Sequence, residues 1–214
     1  MSRITALRAA GRSRQNGRRK TKVFLDGRPA LTLEIEAVVN QGLHVGQELS
    51  ADKIEVLTRE GHFYRCLNAA THFLGYRPRS ESELRKRLNQ RGFQNDSIEA
   101  VIARLKEQSL VDDVAFAQFW KENRDTFSPR SQWLTGLELR RKGVSDDIIS
   151  TVVSDVDDDD SAYRAALSRT RRLPLSDYPT FHRRLGDFLK RRGFSYGVIT
   201  RTVQRLWQEL GQVS

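Results

Sequence analysis

Three glycines set the frame of this sequence. Gly92, Gly143 and Gly193 stand 51 and 50 residues apart, and each carries the same neighbours. A leucine lies four residues before each (Leu88, Leu139, Leu189) and a proline fourteen before (Pro78, Pro129, Pro179). Isoleucine follows six residues after (Ile98, Ile149, Ile199), and Ile102, Val153 or Val203 ten after. Three of the five prolines in the chain therefore share one register. Proline in a first helical turn costs no hydrogen bond and presets φ. Glycine just past the last turn takes the left-handed conformation that ends a helix. Each repeat is thus predicted to hold a middle helix from near the proline to just before the glycine. A turn and a third helix with an i, i+4 apolar face follow.

Serines and acids near these boundaries fit the same scheme. Ser80 with Glu83 has capping-box spacing. Ser128 stands just before Pro129, and Ser145 just before Asp146-Asp147. First helices are expected near 62–76, 113–124 and 161–171. Phe116, Phe119 and Trp120 recur at i, i+3, i+4, the spacing of a core face. The acidic run of Asp155 and Asp157 to Asp160 reads as a solvated linker between the second and third units. The fold class is mainly all-α: three tandem three-helix repeats in an elongated curved array, with a small N-terminal β-hairpin/helix head.

The head is read from a different pattern. Val23-Phe24-Leu25, then Asp26-Gly27, then alternating Leu31, Leu33 and Ile35 is a hairpin signal. Ser50 is the expected N-cap of a helix carrying Ile54 and Leu57. Residues 1–22 contain Arg3, Arg8, Arg12, Arg14, Arg18, Arg19, Lys20 and Lys22 with no acid, the composition of a disordered basic arm. The expected organisation is a basic tail over 1–22, a β/α head over 23–60, and repeats over 61–110, 111–158 and 159–214.

Charge narrows the partners. With 37 Lys+Arg against 27 Asp+Glu the net charge is +10, which favours a polyanionic partner such as DNA, RNA or a membrane surface without choosing among them. The single cysteine, Cys66, excludes an intramolecular disulfide. No apolar run reaches membrane-spanning length, and no apolar segment follows the positive N-terminus as in a secretory signal, so the cytoplasm is expected. His44, His62, His72 and His182 lack metal-ligand spacing, and adjacent carboxylates at Asp157–Asp160 lack the spaced ligands of a calcium loop. With no Gly-rich phosphate cradle either, the chain is expected to be non-enzymatic and to use no cofactor.

Four segments resemble one family. Arg77-Pro78-Arg79-Ser80-Glu81-Ser82-Glu83-Leu84 is similar to the R-x-R-S-x-x-E-L signature of the first RecX repeat. Leu110-Val111-Asp112-Asp113-Val114-Ala115-Phe116-Ala117 resembles that family's L-x-D-D-x-x-F-A. Glu138-Leu139-Arg140-Arg141-Lys142-Gly143-Val144 resembles E-L-x-x-K-G-[IV], and Phe188-Leu189-Lys190-Arg191-Arg192-Gly193-Phe194 resembles F-L-x-R-R-G-F. The match spans about 62–210. The resemblance implies a regulator that docks in the groove of the RecA–DNA filament and mostly limits RecA's strand exchange and ATP hydrolysis. The alternative is a general basic helical DNA- or RNA-binding protein that needs no recombinase.

Basic residues are the candidate contacts. Arg91, Lys142 and Arg192 stand just before the three glycines, with Arg140, Arg141, Lys190 and Arg191 beside them. Cations in a last turn complement the helix dipole by about 0.3–1 kcal/mol each; the doubled clusters exceed that need and point to a polyanion or an acidic protein surface. Arg77, Arg79 and Arg124 lie in or beside the family motifs, where salt bridges to Asp112, Asp113, Glu81 or Glu83 are the plainer role. Asp112 and Asp113 are expected to cap the helix bearing Phe116. An open repeat array with one protomer per binding site is expected to be a monomer.

Overall fold

The computed structural model describes residues 1–12, 19–170, 173 and 177–211. Four strands come first or nearly so: β1 (Ser2–Arg12), β2 (Arg19–Leu25), β3 (Arg28–Glu34) and β4 (Glu48–Leu49), with a short helix α1 (Ile35–Asn40) before β4. Among the described residues nine further helices follow: α2 (Ala51–Leu74), α3 (Glu81–Gln90), α4 (Asn95–Glu107), α5 (Asp113–Phe127), α6 (Gln132–Arg141), α7 (Asp146–Val153), α8 (Asp158–Thr170), α9 (Tyr178–Lys190) and α10 (Tyr196–Gly211). They form three three-helix repeats: α2–α4, α5–α7 and α8–α10. Among the described residues, no helix is long and apolar enough to cross a membrane. The chain divides into two compact units, Met1–Arg79 with Glu83–Val111, and Ser80–Ser82 with Asp112–Ser214.

In the first unit the strands form an antiparallel sheet of order β3-β2-β1-β4. The expected hairpin is β2–β3: Asp26 (φ 49) and Gly27 (φ 80) both take left-handed conformations, as a tight two-residue turn requires. Val23, Leu25, Leu31 and Leu33 are buried with Ile4 and Leu57. Ile35 departs from the expected alternation, opening α1 with its side chain exposed.

The disordered basic arm is corrected. Residues 2–12 are strand β1, laid antiparallel on β2. Ile4 is fully buried, and the Arg3 amide donates to the Asp26 carboxylate at 2.9 Å. The cations do not oppose this because they stay outside: Arg3 pairs with Glu48 at 2.9 Å and Arg8 lies 5.1 Å from the Phe24 ring. Arg14 and Arg18 fall outside the described residues.

The expected break at residue 60 is corrected as well. Helix α2, capped by Ser50 as predicted (Lys53 N–H to Oγ, 3.2 Å), runs through that boundary without interruption. Its Leu57 belongs to the sheet's core, while Cys66, Ala69, Ala70 and Phe73 belong to the core of the first repeat.

The glycine frame has one backbone solution in all three repeats. Gly92, Gly143 and Gly193 have φ of 78°, 80° and 87°. The amide of the next residue reaches back to the leucine carbonyl: Phe93 to Leu88 (3.3 Å), Val144 to Leu139 (3.2 Å) and Phe194 to Leu189 (3.4 Å). This satisfies carbonyls that a helix end leaves orphaned. Leu88, Leu139 and Leu189 are fully buried, and the third-helix faces led by Ile98, Ile149 and Ile199 are buried with them.

The prolines split. Pro179 sits in the first turn of α9 as expected, behind an Asp177 cap. Pro78 and Pro129 instead lie three residues ahead of α3 and α6. In repeat two the intervening Ser131, not Ser128, caps the helix, accepting from the Leu134 amide at 3.1 Å.

The acidic run is not a linker. Asp157 accepts from the Asp159 and Asp160 amides at 2.9 and 3.2 Å, so it caps α8. Asp112 does the same for α5 through Val114 and Ala115. The second aspartate of each pair turns outward to a neighbouring helix start. Asp113 accepts the Glu81 amide (2.8 Å), which corrects its expected role as a cap, and Asp158 accepts the Gln132 amide (2.7 Å). Asp159 and Asp160 then pair with Arg201 and Arg164. Val156-Asp157-Asp158 is thus the third repeat's version of Val111-Asp112-Asp113.

A second contact recurs within the second unit. The Ser80 hydroxyl donates to the Lys142 carbonyl (2.5 Å), and the Ser131 amide donates to the Arg192 carbonyl (3.0 Å). The start of one middle helix thereby meets the end of the next, so positive and negative dipole ends face each other.

Candidate functional site

The predicted basic residues separate by what their side chains touch. The densest group lies in the second unit, where α5 brings Trp120 and Arg124 to one face and α6 supplies Glu138. The Glu138 carboxylate, mostly buried, accepts from Trp120 Nε1 (2.9 Å) and Arg124 Nε (2.8 Å) and pairs with Arg130. Arg124 lies 4.4 Å from the Trp120 ring centroid and Lys142 Nζ 4.0 Å from it. Such stacking contributes about 0.5–2 kcal/mol depending on desolvation.

Arg192 extends this group. Its Nη1 donates to Ser128 Oγ at 3.3 Å, and its guanidinium lies 4.3 Å from the Phe188 ring. Burial holds Arg124, Arg130 and Arg192 below the usual arginine range. Arg130 is pushed further by Arg124 and Arg192, and Arg192 by Arg191. The Nε atoms of Arg130 and Arg192 are buried without a hydrogen-bond partner among the described residues. Crowded guanidiniums of one sign favour a carboxylate or phosphate at their exposed edges, although the two buried Nε donors themselves face the interior.

In the first unit Arg79, Arg87 and Arg91 lie 5.8, 5.5 and 5.0 Å from the Phe73 ring. Arg79 also donates to the Phe73 carbonyl at 3.1 Å; burial, then Arg77, lowers its pKa. Arg77 makes a two-pronged bond to Glu83 (3.0 and 3.1 Å), one of the salt bridges the sequence suggested. Arg124 chooses Glu138 rather than any of the four acids expected for it. Arg140 pairs with Asp146 at 2.7 Å, both exposed. Arg141, Lys190 and Arg191 point into solvent.

Of the ten predicted positions, Arg77, Arg124 and Arg140 are ion-paired, Arg79, Arg91, Arg124, Lys142 and Arg192 lie against aromatic rings, and Arg141, Lys190 and Arg191 are exposed. Arg124, Lys142 and Arg192 come together in one unit, Arg79 and Arg91 in the other. Sequence reasoning missed Arg130, Arg87 and Glu138. A signal existed for Arg130: Pro129-Arg130-Ser131 repeats Pro78-Arg79-Ser80 at the 51-residue period. Trp120, predicted to be core, is half-buried, with its ring covered by two cations.

Known proteins share this architecture. Residues 66–105 match the family described as RecX, first three-helix domain. The regulatory protein RecX of Clostridium perfringens (strain SM101 / Type A) is 28% identical over 194 residues, covering 87% of this chain and 90% of that protein. Regulatory protein RecX of Mycobacterium sp. (strain JLS) is 37% identical over 143 residues, covering 64% of this chain and 75% of its own length. A crystal structure of regulatory protein RecX aligns with a TM-score of 0.64 at 20% identity, over 94% of this chain and 98% of that one; at that identity it supports the fold alone.

Proposed function

Because the chain belongs to the RecX family of regulatory proteins, we propose that it docks on the RecA–DNA filament and modulates, mostly by inhibiting, RecA's recombinase and ATPase activity in DNA repair. The observation that best supports this reading is a recurring one. Just before the glycine of every repeat a cation is seated on an aromatic ring: Arg91 on Phe73, Lys142 on Trp120 and Arg192 on Phe188. Repeats of one length present the same charge at each step, which suits a partner that is itself periodic and negatively charged. A cation already placed against a ring has less side-chain freedom to lose on contact. Exposed Arg141, Lys190 and Arg191 supply the screened, long-range attraction that steers encounter.

In this reading the protein acts as a cytoplasmic monomer, with no catalysis or cofactor of its own, and the ATP hydrolysed belongs to the recombinase. The test is RecA's DNA-dependent ATP hydrolysis, titrated with this protein at several salt concentrations beside its binding to bare DNA. Suppression at concentrations too low to coat the DNA supports filament docking. An unaffected ATPase together with tight, salt-sensitive binding to bare DNA would transfer the case to a general nucleic-acid binder.

A further inference from the structure

We propose that a cleft in the first unit, between the β-sheet and the first helical repeat, binds the sugar-phosphate backbone of a single nucleic-acid strand directly. The cleft has a volume of about 400 Å³ and is lined by Lys20 of β2, His62 and Arg65 of α2, and Arg91, Phe93 and Gln94 at the α3–α4 turn, among others. Three permanent cations thus arrive from three separate segments. Among the described residues no carboxylate lines the cleft. Two acids, Glu34 (the strand partner of Lys20) and Glu60, line the adjoining pocket with Lys20 and Arg65; Glu34 accepts from Asn68 at 2.6 Å and Glu60 from Gln41 at 3.5 Å.

A second cavity among the described residues differs in this respect. A cavity of about 350 Å³ in the second unit is also lined with four cations, including Arg124 and Arg164, but five carboxylates line it too. That cavity neutralises itself through pairs such as Arg164 with Asp125 and Lys121 with Asp155. The first-unit cleft has no lining acid of its own among the described residues, so the like charges of Lys20, Arg65 and Arg91 converging on it favour an external polyanion.

The walls select a strand over a bare anion. Half-buried Phe93 and His62 place two rings beside the cations, and Gln94 and Ser97 add neutral donors. Rings interleaved with cations along a groove are what unstacked bases and their phosphates require. Arg91 is already oriented by Phe73 and Arg65 is exposed, so both can meet phosphates without displacing a protein partner. The proposal does not need a recombinase and stands apart from filament docking.

The test is fluorescence anisotropy of a labelled oligo-dT strand with the full chain, in the absence of RecA, across a salt series. Lys20→Gln/Arg65→Gln is compared with Arg183→Gln/Arg184→Gln, which removes the same charge from exposed positions of the second unit. The cleft variant is expected to bind at least tenfold more weakly, with the salt slope reduced by about 1.4 from the loss of two phosphate contacts. The control variant is expected to change affinity by less than threefold. Equal losses in both variants would reduce the effect to net charge and overturn the proposal, as would unchanged binding by a cleft variant with native circular dichroism. Suppression of RecA's ATPase is measured on the same variants. Its retention with lost oligonucleotide binding separates the cleft from the docking surface.

Discussion

Adding one methyl group at Gly193 tests the junction of the second and third repeats. A Cβ there would lie 2.5 Å from Ser131 Oγ and 2.6 Å from Leu134 Cβ, at a backbone φ of 87°. Two costs add. An alanine held in the left-handed region loses about 1–2 kcal/mol, and forcing the α6 start away costs about 1–3 kcal/mol more. Gly92 supplies the matched reference, since its φ is 78° and nothing lies within 4 Å of an added Cβ. Gly92→Ala should therefore show only the backbone cost of about 1–2 kcal/mol, and Gly193→Ala about 2–5 kcal/mol from both terms. Urea titrations read each unit separately. All three tryptophans, Trp120, Trp133 and Trp207, lie in the second unit, while circular dichroism reports both. Equal losses for the two variants would refute the claim that Gly193 is a contact point as well as a helix terminator.

Three other outcomes follow from the same geometry. Charge reversal at exposed Arg141, Lys190 and Arg191 should weaken filament suppression and leave the melting temperature unchanged, whereas Lys142→Glu and Arg192→Glu should lower it through loss of their ring contacts; identical melts for all five would contradict the division between seated and exposed cations. Burial pushes the Cys66 thiol up to about 11, so it should resist alkylation at neutral pH until urea opens the first unit, and rapid labelling of the native protein would contradict its burial. Asp158 is raised above the usual carboxylate range, chiefly by burial and against the Gln132 amide that lowers it. The folded state therefore holds this proton more tightly than the unfolded chain, and the group's contribution to stability is lost as pH rises through its raised pKa. Asp158→Asn keeps an acceptor for Gln132, so it should fold at least as stably at pH 7 and lose that part of the acid-range pH dependence; a less stable variant at pH 7 would reverse the sign of the argument.

The repeats were legible because their signals are local. A leucine, three residues and a glycine specify a helix end whatever packs on it, and three copies in register declare a tandem array. Strand β1 was not legible, because Ile4 has a core only when β2 and β4 stand beside it, and the surrounding arginines dominate any local reading. The acidic run hid a motif in its own monotony. Val156-Asp157-Asp158 lies 45 residues after Val111-Asp112-Asp113, short of the glycine period, and the extra aspartates conceal the match. In the candidate site, charge was visible but its seating was not. Whether Lys142 faces solvent or the Trp120 ring depends on how α5 crosses α6, which no single segment encodes.

Helix α2 has a consequence of phase. Leu57, in the core of the sheet, and Cys66, in the core of the first repeat, are nine residues apart. At 3.6 residues per turn that is about two and a half turns, so the two cores grip nearly opposite sides of one rod about 13 Å apart along its axis. One residue inserted between them would swing one grip by about 100° around the other, while seven would restore it to within about 20°. The sheet and the repeat are therefore geared together, and the stretch between Leu57 and Cys66 tolerates changes of residue far more readily than changes of length.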